Sequence, residues 1–197
     1  MFGFGKIHIE TTDEELMKRL SGGDAAAFNH LYKRYNQRLL YYFYRMLGNS
    51  NEKAQDFLQD LFVKLIDKAE TFDSTRKFST WIFSIAHNLC KNEYRRLNVR
   101  KEVSIETQTD TFFADAPSEA DLKEIHLEEF QKDLFEQLDT LDEIHKSVFL
   151  LHYREAFSIK EIAQSLEISE GTVKSRLFYT RKQLAERLKK YKPDFVA

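Results

Sequence analysis

Apolar residues recur at helical spacing along most of this chain, and the interruptions fall where glycine, asparagine and serine cluster. Phe28, Leu31, Tyr32, Tyr35, Leu39, Tyr42, Phe43 and Met46 step by threes and fours, one face of a helix from Ala25 to Leu47. Asp24 is placed to cap it, and Gly48-Asn49 to stop it. Upstream, Thr12 with Glu15 makes a capping box for a short helix to about Leu20, closed by Ser21-Gly22-Gly23. A third helix is expected from Glu52 to Ala69, with Ala54, Phe57, Leu58, Leu61, Phe62, Leu65, Ile66 and Ala69 facing inward. Its other face holds Asp56, Gln59, Asp60, Val63, Lys64 and Asp67. Val63 is the odd member, an apolar residue in a polar setting that suits a docking surface.

A polar loop, Phe72 to Lys77, leads to a fourth expected helix from Phe78 to Leu97, with Phe78, Trp81, Ile82, Ile85 and Leu89 inward. Opposite them Ser84, Asn88, Lys91, Asn92 and Arg95 form a polar and basic stripe, with Phe83, His87 and Tyr94 expected beside it. Cations, amides and off-core rings are what single-stranded DNA requires, since the groove follows the backbone and bases stack on aromatics. A solvated face with gap-filling aromatics has the same composition, and this helix alone does not choose between the two.

The helical period then lapses over residues 102–128, where Thr, Asp, Ala and Pro117 dominate; Phe112-Phe113 is a candidate local anchor. Order resumes near Leu127 with Phe130, Leu134, Leu138 and Leu141. Asp142 is placed to cap a helix with Ile144, Val148 and Leu151 inward. Ser158 and Glu161 make another capping box, leading into Ile159, Ile162, Ala163 and Leu166 on one face. After Glu167-Ile168, Ser169 is a cap for a last helix with Val173, Leu177, Leu184 and Leu188 inward. Two short helices with a tight turn, Ile168 at the corner and small Ala163 at the crossing are the pattern of a helix-turn-helix. In that motif the start of the second helix reaches base edges in the major groove. The candidates are Ser169, Glu170, Thr172, Val173, Lys174 and Arg176.

The expected class is all-α: two small helical domains, residues 1–101 and 129–197, joined by an acidic linker over 102–128. Only two prolines and six glycines among 197 residues fit that class, as does a hydrophobic fraction of 42%. The net charge of −2 does not announce a nucleic-acid protein, but its distribution does. Residues 76–101 and 170–192 are strongly basic, and 102–129 strongly acidic. Cys90 is the single cysteine, which leaves no disulfide framework and no thiolate cluster. His145 and His152 lie one helical seam apart without an H-E-x-x-H motif or a carboxylate loop. No cofactor, no metal and no catalytic residue is expected, and nothing argues for an enzyme. Without a signal peptide or hydrophobic span, the expected compartment is the cytoplasm, with no membrane insertion.

Ala54–Asp73, Phe78–Arg96 and Phe157–Leu184, in this order and spacing, resemble the extracytoplasmic-function group of bacterial RNA polymerase sigma factors. The resemblance covers roughly residues 13–190. It implies a factor that binds core polymerase, recognises −35 and −10 promoter elements and melts the −10 region. On that resemblance Asp56, Gln59, Asp60, Val63 and Lys64 dock on the β′ coiled coil. Arg76, Lys77, Asn88, Lys91, Asn92, Tyr94, Arg95 and Arg96 hold the −10 strand, and Asp73 to Lys77 form a pocket for an extruded base. The −35 set gains Tyr179 and Arg181, since the Ser169–Arg181 helix matches the −35 reader, and the C-terminal domain touches the β flap. Many members carry a basic residue where this chain has Ser79; here Arg76 and Lys77 supply the charge. Free members are often held by an anti-sigma protein. The alternative is a stand-alone helix-turn-helix regulator on duplex operator DNA, which leaves the Asp56–Lys64 and Asn88–Arg95 faces unused. A DNA-cleaving enzyme lacks the carboxylate cluster that a catalytic metal needs.

Overall fold

The computed structural model describes residues 11–101 and 122–191, with side chains over 11–99 and 127–191. The acidic stretch 102–121, including Phe112-Phe113, lies outside the described residues. The chain falls into two compact units, the first carrying the helices up to Lys101 and the second most of the later ones. No strand occurs among the described residues, as the all-α expectation required. No helix among them is long and apolar enough to cross a membrane.

The first unit holds α1 (Asp13–Ser21), α2 (Ala25–Met46), α3 (Asn51–Asp67), a 3-10 turn at Ala69–Thr71, and α4 (Phe78–Lys101). The expected caps are in place. The Thr12 hydroxyl accepts from the Glu15 amide at 3.2 Å, and Asp24 from Ala26 at 3.0 Å. Ser50, one residue ahead of the helix, caps α3 through the Lys53 amide. At the end of α2, Gly48 (φ 76°) and Asn49 (φ 61°) turn left-handed, and the Asn49 amide closes on the Tyr44 carbonyl at 2.9 Å. Burial follows most of the stripes on α2 and α3, although Tyr32, expected on the α2 stripe, is 39% exposed at its edge. Leu31, Leu39, Tyr42, Phe43, Leu61 and Leu65 are sealed from solvent.

Two inward and outward assignments are corrected. Ile66, expected inward, is 52% exposed. A 3.6-residue period carries the stripe round the helix, so Ile66 falls past the edge of the packed interface while Leu58, Leu61 and Leu65 stay inside. Phe83 and His87, expected beside the polar stripe of α4, are buried at 0% and 4% exposure. Helices α1, α2 and α3 all pack on α4, so it is covered over a broad arc rather than along a narrow seam. Ala86, Cys90 and Glu93 share that buried arc.

The second unit holds α5 (Leu122–Asp139), α6 (Glu143–Phe149) continued by a π turn at Leu150–Arg154, α7 (Ile159–Leu166), α8 (Glu170–Arg187) and a 3-10 turn at Lys189–Tyr191. Helix α5 starts at Leu122, well before the expected Leu127. Leu122-Lys-Glu-Ile-His-Leu-Glu-Glu contains no breaker and suits the acid-tolerant start of a helix, although its charge reads as linker. Leu138, Leu141, Leu184, Leu188 and Tyr191 form one core, with Phe130, Leu134 and Phe149 packed on it. Asp142 caps α6 through the His145 amide at 3.0 Å and meets the His145 ring at 2.8 Å. His152 faces the Phe157 carbonyl.

Two predictions concern stability. Glu167 holds a left-handed φ of 55°, a conformation that costs a side-chain-bearing residue about 1 kcal/mol or more. Glu167→Gly is therefore expected to raise the stability of the protein by about 0.5–1 kcal/mol, read as a higher urea midpoint; no gain would show that the turn carries no strain. Burial alone would raise the Asp142 carboxyl, but the amide and ring of His145 outweigh it and hold it below its ordinary value. Its contribution is present above the unfolded carboxylate pKa of about 3.9 and is lost as pH falls through the lower folded value. Asp142→Asn should be less stable than wild type at about pH 6, with the difference vanishing in strong acid in paired denaturation curves.

Candidate nucleic-acid interface

The helix-turn-helix is α7 and α8. The Ser158 hydroxyl accepts from the Glu161 amide at 3.2 Å while the Glu161 carboxylate takes the Ser158 amide at 2.8 Å, the reciprocal pair that starts α7. At its end the Ile168 amide reaches back to the Ala163 carbonyl at 3.0 Å over left-handed Glu167. That closure keeps the turn short. Ile168 is half-buried, as a corner residue should be. Ser169 then caps α8 through the Thr172 amide at 3.1 Å. Val173, Leu177 and Leu184 hold the helix down, and Thr180, absent from the expected stripe, is fully buried between them.

Of the residues expected to read duplex DNA, Glu170, Lys174, Tyr179 and Arg181 are exposed, and Thr172 and Arg176 half-buried. Val173 is corrected: at 0% exposure it is a core residue and cannot present its side chain to a base. It belongs to the apolar stripe, and one side chain cannot serve both faces of a helix. The Ser169 hydroxyl is occupied by the cap and by Thr172 Oγ1 at 2.8 Å. Phe178, 62% exposed beside Tyr179, is missing from the expected set. Its position off the Val173–Leu177–Leu184 stripe is the signal that could have found it.

In the first unit, Asn88, Lys91, Asn92 and Arg95 do share one face of α4 that is open to solvent. Tyr94 stands apart from them, half-buried, its hydroxyl donating to the Met46 carbonyl at the end of α2. Arg96 is bound by a two-pronged ion pair to buried Glu93, at 2.7 and 2.8 Å. The Glu93 carboxylate raises the guanidinium pKa further and fixes its direction. Ahead of α4, Asp73 accepts from the Thr75 amide and hydroxyl at 3.0 and 2.7 Å, which lowers its carboxyl pKa. This Asx turn leaves Arg76 and Lys77 exposed at the mouth of the helix. The rings of Phe72, Phe78 and Trp81 pack together behind it.

On α3, Asp56, Gln59, Asp60, Val63 and Lys64 all lie on the outward side, Val63 at 58% exposure. Ile66 joins Val63 one turn on, so the outward face carries an apolar pair framed by charge. The second unit carries a groove of about 790 Å³ floored by Phe130, Leu134, Phe149, Leu184 and Leu188, with Arg181, Lys182 and Lys189 at its edge. No cluster of metal-ligating side chains occurs among the described residues.

Residues 31–100 match the family model for Sigma-70 region 2, and residues 131–184 that for Sigma-70, region 4. The chain is 29% identical over 186 residues to the ECF RNA polymerase sigma factor SigW of Bacillus subtilis (strain 168), covering 92% of this chain and 99% of that protein. It is 29% identical over 183 residues to the ECF RNA polymerase sigma-E factor of Escherichia coli (strain K12), covering 89% and 93%. In fold it is similar to RpoE of Bartonella quintana, solved with the anti-sigma factor NepR: TM-score 0.68, 21% identity, 82% of this chain and 96% of that one. CnrH, solved with the cytosolic domain of CnrY, gives a TM-score of 0.65 at 23% identity, covering 90% and 97%. With both regions matched in order, and relatives of one kind matched along nearly their whole length, the chain belongs to the extracytoplasmic-function RNA polymerase sigma factors and is a promoter-directing factor rather than a stand-alone regulator.

Proposed function

We propose that this sigma factor divides its work among three surfaces. Helices α1 to α4 act as the region 2 domain and α5 to α8 as the region 4 domain, with the acidic stretch between α4 and α5 as the tether. The outward face of α3, with Asp56, Gln59, Asp60, Val63 and Lys64, docks on the β′ coiled coil of core polymerase. Ile66 extends that surface. Apolar side chains framed by charge are the composition of an interface core within a polar rim. The apolar groove of the second unit receives the β flap.

Duplex DNA is read at the −35 element by α8. Glu170, Lys174, Tyr179 and Arg181 supply its exposed side chains, with Thr172 and Arg176 partly available. Lysine and arginine can pair with guanine edges or grip phosphates, and the capped start of the helix orients them. At the −10 element the outward face of α4 holds the non-template strand. Asn88 and Asn92 offer amide donors and acceptors, while Lys91 and Arg95 follow the backbone. Arg76 and Lys77 bring further charge to the Asp73–Lys77 pocket. Strand separation follows from differential binding: a face that favours the extruded strand over the duplex pulls the equilibrium open. The observation that carries this reading is the amide and cation face of α4 in the same chain as a complete helix-turn-helix. Tyr94 and Arg96 take lesser parts, because their polar ends already have partners.

The factor acts in the cytoplasm by binding and strand separation, and a partner of the anti-sigma class is proposed by extension from the RpoE complex.

Two tests separate these surfaces in reconstituted holoenzyme. Val63→Glu with Ile66→Glu should weaken core binding by about tenfold or more while leaving thermal unfolding unchanged, since both side chains are exposed. Unaltered core binding would remove α3 from the interface. Lys174→Ala should cost about 1–3 kcal/mol of duplex affinity if it contacts a base edge. Asn92→Ala should instead keep duplex binding and lose permanganate-reactive bases; equal effects on both steps would contradict the division.

A further inference from the structure

The helix that carries the strand-holding face begins without a cap of its own. Its first intrahelical bond runs from the Trp81 amide to the Lys77 carbonyl at 3.2 Å, so Lys77 stands at the cap position. Lysine has no side-chain acceptor for the free amides of the first turn. The acceptor comes from 64 residues earlier. Glu14 Oε1, on α1, takes the Phe78 amide at 2.8 Å.

Three further contacts make this a strut rather than a chance meeting. Asp13, next to Glu14, accepts from the Arg34 guanidinium and the Tyr35 hydroxyl of α2. Tyr35 in turn meets the Phe78 ring edge-on at 5.0 Å. Helix α1 is thereby fixed to α2 by one carboxylate and to the start of α4 by the next. The Asp73–Lys77 turn has one end anchored at Phe72, whose ring packs on Phe78 and Trp81. Its other end is anchored where Glu14 holds Phe78. The match to region 2 begins at residue 31, so α1 lies outside it.

We infer that Glu14 is a positioning residue for promoter opening: its hydrogen bond to the Phe78 amide holds the Asp73–Lys77 pocket and the first turn of α4 ready for the displaced strand. This rests on the proposed role of α4 at the −10 element. The mechanism is pre-organisation. A loop held in its binding conformation loses less entropy on capture than one that must be ordered by the strand. The bond requires reach and an acceptor, not charge. Glu14→Gln keeps both, whereas Glu14→Asp, one methylene shorter, keeps the charge and loses the reach.

The test uses the whole chain in holoenzyme with core polymerase, on a linear promoter fragment that wild type opens. Glu14→Asp, Glu14→Gln and Asn92→Ala are compared for the rate of permanganate-reactive opening, duplex binding and amide exchange at Phe78. Glu14→Asp is expected to open about five-fold more slowly, the loss typical of a missing cap, with faster exchange at Phe78 and unchanged duplex binding. Glu14→Gln is expected to match wild type in all three. Wild-type opening by Glu14→Asp beside slow opening by Asn92→Ala overturns the inference and leaves the α4 reading standing. Slow Glu14→Gln beside normal Glu14→Asp overturns it in favour of charge. Normal opening by Asn92→Ala overturns the α4 reading itself, whatever the Glu14 variants do.

Discussion

The contact that fixes the start of α4 in the first unit is the hydrogen bond from Phe78 to Glu14. Every helix exposes amides in its first turn that need acceptors. Thr12, Asp24, Ser50, Asp142, Ser158 and Ser169 supply them locally, each within three residues of the amide it serves. Helix α4 differs from these six in taking its acceptor from another helix. The position that would normally hold a serine or aspartate holds Lys77 instead, in a basic entry beside Arg76. An exposed cation and a cap for the backbone compete for one position. The fold resolves that competition by moving the cap to α1.

Burial explains how α4 can present one clean polar face. Three helices press on it, and the covered arc takes in Phe83, His87, Cys90 and Glu93. Outside it lie Asn88, Lys91, Asn92 and Arg95, followed by Arg96, Asn98 and Val99 toward the end of the helix. Phe83 and His87, which composition suggested as stacking platforms, are core residues, and Tyr94 is half-buried, so the exposed side chains of this face are polar and charged. Large exposed aromatics sit elsewhere, as Phe178 and Tyr179 on α8. Glu93, buried on the inner arc, reaches outward to fix Arg96. The charge on that arginine is partly spent on the fold.

The helix-turn-helix shows the opposite balance, with its helix ends set locally. A reciprocal cap opens α7, a left-handed Glu167 closes it, and Ser169 opens α8. Hence the boundaries of these two helices are legible in the sequence almost to the residue. The exception on this side is the start of α5, where acidic composition masks a run of helix formers. Val173 marks the limit of motif reading at single positions. A helix-turn-helix places the start of its second helix in the groove, yet every third or fourth residue of that start must still face the core.

Helix type, order, caps and the separation of two basic regions by an acidic one were determined by the sequence alone. These depend on interactions spanning three or four residues, and periodicity records them directly. The outward faces of α3 and α4 were also visible as polar stripes. Their edges were not, because an edge is set by how many neighbours a helix acquires. Tertiary packing turned Ile66 outward, drew Phe83 and His87 inward and tied Tyr94 to Met46. It also brought Glu14 to Phe78 across 64 residues. Nothing in the spacing of a single glutamate on a short helix announces which distant amide it will meet; only packing α1 against the start of α4 decides that.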